Sequence, residues 1–195
     1  MFAATHLCGF GAGGNDAVQP LWNAADKDSD INLSDDDRTA TAVGTGGVRS
    51  VLAITGKRYF EFVSGLNSSS NGRFGVANGS YDVTTAPGAG SNEWVIQGDG
   101  QKLTSGSASG YGSALANGTT GMLAVDPSSG KIWVGAAGSW FNSGDPAAGT
   151  GEMFSTLTGT LYLVMGRPTG SNRSITLRLV ADYTYSPPTG FVAGG

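Results

Sequence analysis

Apolar and polar residues alternate with a period of two in many short runs, and that period predicts strands rather than helices. The clearest run is Ser174 to Leu179, where Ile175, Leu177 and Leu179 share one face and Ser174, Thr176 and Arg178 the other. Ile31 and Leu33 alternate in the same way. Val48–Ile54, Tyr59–Val63, Arg73–Ala77, Trp94–Gln97, Met122–Val125, Lys131–Val134 and Leu161–Met165 are further short runs rich in β-branched and aromatic residues, with Glu61 inside the second of them. Turn signals separate the runs. Asn71-Gly72, Asn78-Gly79 and Asn117-Gly118 are expected to supply the positive φ of hairpin turns, Asp126 to Gly130 a tight hairpin, and Pro187-Pro188 the end of the last strand. No amphipathic helix of useful length and no repeat of fixed period is present. The pattern predicts an all-β sandwich or barrel.

Composition sharpens this. The chain has 195 residues, enough for one all-β domain and a short tail. Its 33 Gly and 7 Pro approach a disordered composition, but 4 Trp, 6 Tyr and 8 Phe recur along the chain. The glycines therefore read as turns in a strand-rich fold. Charged residues are 13%, about half the usual share. A net charge of −4, with 11 scattered Lys and Arg, argues against a nucleic-acid partner, because phosphate binding needs clustered cations. No signal peptide and no apolar run of about 20 residues is expected, so no membrane insertion. Cys8 is the only cysteine, which fits folding in a reducing cytoplasm.

Residues 1–20 stand apart. They are expected to form an N-terminal arm that ends in a Gly-rich joint, with the sandwich over 21–195. His6 and Cys8 lie two residues apart in the arm, but nothing in the sequence orients a base, so the reading is packing rather than catalysis. Gly9 to Gly14 spells G-x-G-x-x-G without the strand-turn-helix context of a nucleotide site, and reads as a hinge.

Asp26, Asp28 and Asp30, with Asp37 further on, imitate an EF-hand loop. Ile31 stands where the turn needs Gly, and Ile31 and Leu33 read as strand. An acidic turn is the expectation, with the three aspartates weak calcium candidates and no cofactor. Glycoside hydrolysis needs two facing carboxyls. Of the three glutamates, Glu61 is expected in a strand, and Glu93 and Glu152 in separate loops; no pair is evident. Trp22, Phe60 and Trp133 read as core. Tyr81, Trp94, Tyr111, Trp140 and Phe141 fall at loops or strand ends, where rings either plug the sandwich ends or stack on a ligand.

Several stretches taken in order resemble phage-encoded SPRY-like, concanavalin-like domains. These are Trp22 to Lys27 with Ile31 to Ser34; Gly47 to Val51 with Gly56 to Glu61; Phe74 to Ala77; Gly98-Asp99-Gly100-Gln101-Lys102; Asp126 to Val134; the 142–150 loop; Leu157 to Tyr162; and Tyr185 to Phe191. The likeness spans roughly 21–192. Leu103 and Ala136-Ala137-Gly138 depart from the usual pattern. The resemblance implies an antiparallel two-sheet jelly-roll sandwich that binds protein or glycan through loops.

The function so implied is a non-enzymatic bacteriophage virion protein, a tail-fibre, spike or head-fibre subunit for host-surface attachment, homo-oligomeric and located in the virion. The arm would contact other virion proteins. A capsid decoration or tail adaptor is the alternative, and a glycan hydrolase a more distant one. Candidate ligand-binding residues are Arg73, Tyr81, Trp94, Asp99, Gln101, Tyr111, Trp140 and Asn142.

Overall fold

A computed structural model describes residues 18–194. The fold is all-β, with two antiparallel sheets packed face to face. The strands are β1 (Trp22–Lys27), β2 (Ile31–Ser34), β3 (Thr39–Ala42), β4 (Gly46–Ser50), β5 (Arg58–Gly65), β6 (Arg73–Asn78), β7 (Glu93–Gln97), β8 (Gln101–Thr104), β9 (Ser107–Gly110), β10 (Thr120–Asp126), β11 (Lys131–Ala136), β12 (Ser139–Trp140), β13 (Leu161–Arg167), β14 (Arg173–Leu177) and β15 (Val192–Ala193). One sheet runs β1-β4-β13-β6-β7-β8-β9. The other runs β12-β11-β10-β5-β14-β3-β2, and β15 adds to β5 in parallel where β14 leaves off. The two helical pieces among the described residues are single 3-10 turns.

Alternation decides what each face buries. On β5, Phe60 and Phe62 point inward; on β6, Phe74 and Val76; on β13, Leu161, Leu163 and Met165; on β14, Ile175 and Leu177. With Trp22, Trp94, Ile96, Leu123 and Ile132 they form the central core. Phe62 lies 4.4 Å from Phe74 between ring centroids, and Trp22 meets Phe74 edge-on at 6.3 Å.

Both outer faces are also apolar, so both must be covered. Ala77, Val95, Leu103 and Val164 lie on the outside of the first sheet and are packed with Tyr81 and Val83 of the 79–92 segment. Tyr59, Met122, Ala124 and Trp133 lie on the outside of the second, under Tyr183, Tyr185 and Phe191 of the C-terminal strap. A buried glutamate holds each irregular cover. Glu61 is fully buried. Its Oε1 accepts from the Tyr59 hydroxyl (3.0 Å) and the Tyr185 N–H (2.6 Å). Its Oε2 accepts from the Thr184 N–H (2.8 Å) and lies 3.5 Å from Arg178. Burial first, then the Glu61 carboxylate, pushes the Tyr59 hydroxyl far above its ordinary pKa. Glu93 Oε2 accepts from the N–H groups of Gly88 and Gly90, both at 2.8 Å.

The turns depart from the sequence expectation. Of the three Asn-Gly pairs only Gly118 has positive φ; Gly72 and Gly79 flank β6, whose connections lead to other elements rather than tight hairpins. Asn78 instead accepts from the Ser80 N–H and donates to Asn92 and Thr158. The two-residue hairpins with both residues at positive φ are Ser105-Gly106 and Ala137-Gly138, as type I′ turns require. The expected Asp126–Gly130 hairpin is present, with Gly130 at positive φ. Pro187-Pro188 does not end the last long strand: β14 stops at Leu177, and the prolines lie in the strap. Glu93, expected in a loop, opens β7.

Two expectations follow. Glu61→Ala should lower stability by about 3–5 kcal/mol, because it strands the Tyr59 hydroxyl and two strap N–H groups away from water. Hydrogen exchange over 178–194 should rise with it; an unchanged denaturation midpoint would refute the clamp.

Burial alone would raise the Asp126 carboxyl, but hydrogen bonds from Ser128 and Ser129 and the Lys57 ammonium outweigh it and hold the pKa at about 2. A depressed carboxyl stabilises the fold above its unfolded pKa and loses that effect as pH falls through the folded one. Asp126→Asn should therefore cost about 2 kcal/mol at neutral pH, and the gap to wild type should close between about pH 4 and pH 2. Urea titrations at several pH values check this.

Candidate functional site

One group of predicted residues comes together where the edge of the first sheet meets the 141–154 loop. Asp99 opens the β7–β8 turn: its Oδ1 accepts from the Gln101 N–H (3.1 Å) and its Oδ2 from the Gln101 amide (3.0 Å). Gly100 sits at φ +88 and its carbonyl accepts from Tyr111 and Gly112. Tyr111 is thereby buried with its ring edge-on to Phe141 (6.2 Å, 79°), and its hydroxyl donates to the Gly151 carbonyl (3.1 Å). Burial pushes that hydroxyl up to about 12. Lys102 spans the junction, lying 6.0 Å over the Tyr111 ring and 5.3 Å over Phe154, and donates to the Met153 carbonyl (2.9 Å).

The second sheet grips the same loop from the other side. Trp133 Nε1 donates to Thr150 (2.8 Å), and Lys131 donates to Gly149 (2.6 Å) and pairs with Glu152 (3.4 Å). Within the loop, Asp145 and Thr150 bridge each other and Asp145 caps Ala148. Asn142 and Ser143 both take left-handed backbone. Asn142, Ser143, Asp145, Ala147, Ala148 and Thr150 remain exposed. The loop is thus pinned at its base and presents a weakly charged, polar surface.

Asp99, Gln101, Tyr111 and Asn142 are the candidates this geometry groups. The other four lie elsewhere. Arg73 and Tyr81 sit on the outer face of the first sheet, where Arg73 donates to Pro87 (2.9 Å) and the Tyr81 hydroxyl to Thr85 (2.7 Å). Burial lowers the Arg73 pKa and pushes Tyr81 far up. Trp94 faces the central core, its indole N–H on Thr156 (3.1 Å). Trp140 is half-buried against Tyr59 on the far face of the second sheet. Tyr81, Trp94 and Tyr111 are all buried, so their rings plug the fold in this conformation. Lys102, Phe141 and Phe154 complete the junction; Lys102 already stood in the Gly98–Lys102 motif.

The three glutamates do not converge. Glu61 and Glu93 lie on the outer faces of opposite sheets and Glu152 in the edge loop. The aspartates Asp26, Asp28 and Asp30 part in the same way. Asp26 takes the Arg49 guanidinium at 2.6 and 3.0 Å, and Asp28 caps the Asp30 N–H. Asp37 lies in the turn at the far end of β2, roughly 13 Å along the strand. Among the described residues no three His, Cys, Asp or Glu side chains gather as metal ligands, and no helix is long and apolar enough to cross a membrane. His6, Cys8, the Gly9–Gly14 stretch and most of the expected arm lie outside the described residues.

Comparison with solved structures places the fold. The chain is similar to stonustoxin (TM-score 0.63, 13% identity over 82% of this chain), of which it spans 27%. It is similar to the PSpry domain of TRIM65 (TM-score 0.60, 16% identity, 82% of this chain and 92% of that one). It is also similar to the SPRY domain of human HERC1 (TM-score 0.62, 14% identity, 78% and 94%). The fold is therefore the SPRY-like β-sandwich, as the ordered motifs implied. No protein-family model matches the sequence, and no curated protein matches it either.

Gly112 tests the junction. A Cβ there would lie 2.3 Å from the Phe141 ring, whereas one on Gly110 would meet nothing within 4 Å. Gly112→Ala should cost about 1–3 kcal/mol and raise hydrogen exchange over 141–144, with Gly110→Ala near neutral. Equal effects at the two positions would refute the packing.

Proposed function

We propose that the chain is a non-catalytic binding module of a bacteriophage virion, a fibre or spike subunit that meets a host-surface glycan or protein with its loops. The observation that carries the binding reading is the 141–154 loop, held at its base by Trp133, Lys131, Lys102 and Tyr111 while its outer residues stay exposed. Rigid scaffolds that present exposed loops suit recognition. The SPRY-like fold is consistent with binding or scaffolding, and the 142–150 stretch supports the phage setting through its resemblance to phage-encoded copies. Glu61 and Glu93 stand on opposite outer faces, so they cannot flank one sugar as hydrolysis needs.

A second reading, a decoration or adaptor protein, draws on one further observation. Val51 and Leu52 are exposed, and Leu52 with Pro20, Leu21, Ile54, Phe60 and Leu163 lines a shallow apolar recess. Such a patch suits contact with another protein.

A cryo-EM map of the phage that encodes the chain separates the two. The attachment reading expects the chain on the particle with residues 141–150 facing outward, and at least a tenfold loss of host-cell binding when 142–150 are replaced by a Gly-Ser segment of equal length. The same residues buried against virion proteins would leave the adaptor reading, and particles lacking the chain would overturn both.

A further inference from the structure

Strand alternation sends two arginines inward at one end of the sandwich. On β13 the inward series Leu161, Leu163, Met165 continues to Arg167; on β14 the series Leu177, Ile175 continues to Arg173. Residues 168–172 join these strands, so one arginine enters from each sheet at the same end. Arg167 is 3% exposed and Arg173 7%.

Neither has a carboxylate. The ion pairs among the described residues are Arg49–Asp26, Lys57–Asp126, Lys131–Glu152 and Arg178–Glu61. Arg167 donates instead to the carbonyls of Gly170 and Val43, and Arg173 to those of Ser171 (3.1 Å) and Asn172 (2.8 Å). The Nε of each is buried and without a hydrogen-bond partner in the protein. A guanidinium carries five N–H donors in a planar fork and no acceptor. Carbonyl dipoles offset only part of the cost of removing a charge from water. The two groups stand at the same end of the sandwich with no carboxylate in ion-pair range among the described residues; the nearest acidic side chains placed there, Asp28 and Asp30, pack against Gly46 and Gly44.

The covering is thin. Val43, Gly170, Ser171 and Asn172 all belong to exposed turns. Asn71 joins the same mouth. A Cβ on Gly170, at φ +96, would lie 2.8 Å from the Asn71 amide nitrogen and 3.9 Å from Arg167 Nη1. Arg173 is tied to the same place through Gly72, next to Asn71, where a Cβ would lie 3.0 Å from Arg173 Cδ.

We propose that this end binds a carboxylate-bearing ligand, with Arg167 and Arg173 as the charged donors and Asn71 at the rim. The planar fork of arginine matches a carboxylate with two parallel hydrogen bonds, and the carboxylate replaces the loop carbonyls as partner. This site does not involve the 141–154 loop and stands whether or not the virion reading does. The carboxylate can come from an acidic sugar or from an acidic amino acid, which share this chemistry.

The test is titration of the ¹⁵N-labelled full chain, reading the arginine Nε–H resonances. The probes are glucuronate and N-acetylglutamate, with chloride and sulfate at matched ionic strength. The expected result is a saturable shift of two buried Nε–H signals with the carboxylates, and none with chloride. Arg167→Gln and Arg173→Gln should each remove one signal and weaken binding at least tenfold. Preference for glucuronate would point to an acidic sugar, and preference for N-acetylglutamate to an acidic side chain; either supports the site. No saturable shift up to about 100 mM, or an equal response to chloride or sulfate, would overturn it. The wild-type titration decides the matter even where a variant fails to fold.

Discussion

The Glu61 carboxylate, buried under the C-terminal strap, is the interaction on which the second sheet depends. β5 is apolar on both faces, so a two-layer sandwich alone would leave Tyr59, Met122 and Trp133 in water. A strap of irregular backbone covers them, but irregular backbone brings N–H groups that no ladder satisfies. Glu61 takes two of these and the Tyr59 hydroxyl as well. Glu93 solves the same problem on the opposite sheet for Gly88 and Gly90. The fold is thus four layers in effect, two regular sheets and two irregular covers, each cover hung from one buried carboxylate.

That arrangement bears on chemistry. Glu61 and Glu93, each engaged by the backbone N–H groups of its cover, serve the scaffold rather than an open site. The polar groups outside that scaffold are those of the exposed turns and the two buried arginines at one end of the sandwich. A chain with few charges can still be electrostatically specific where those charges lack partners.

The central strands were legible because one face of each is strictly apolar. Ile175 and Leu177, Phe60 and Phe62, and Ile132 and Val134 all lie inward as alternation requires. Short edge strands were not. Ser107–Gly110 has no apolar period and exists as β9 through its backbone pairing with β8. The Asn-Gly pairs misled because a turn propensity says nothing about which two strands flank it, and β5, β6 and β7 are joined by long segments. Pro187-Pro188 ends no strand: β14 stops ten residues earlier and β15 follows the prolines, since the strap between is held by side chains that a sequence period cannot register.

The candidate site was legible in part for a related reason. Asp99 and Asn142 lie in turns whose residue types announce them, Gln101 opens β8 beside Asp99, and the structure brings the three to one edge. Whether a ring lies inside or outside depends on what folds over it, which no local pattern states. Tyr81 is buried because residues 79–92 bend back over the sheet that precedes them, and Trp94 because β7 turns that face inward. Arg167 and Arg173 were invisible for the opposite reason. Each continues an apolar alternation by one step, at the point where polarity normally marks the strand's exit to solvent. Only the packing of β13 on β14 across the two sheets, with residues 168–172 joining them, places both cations at the same buried end.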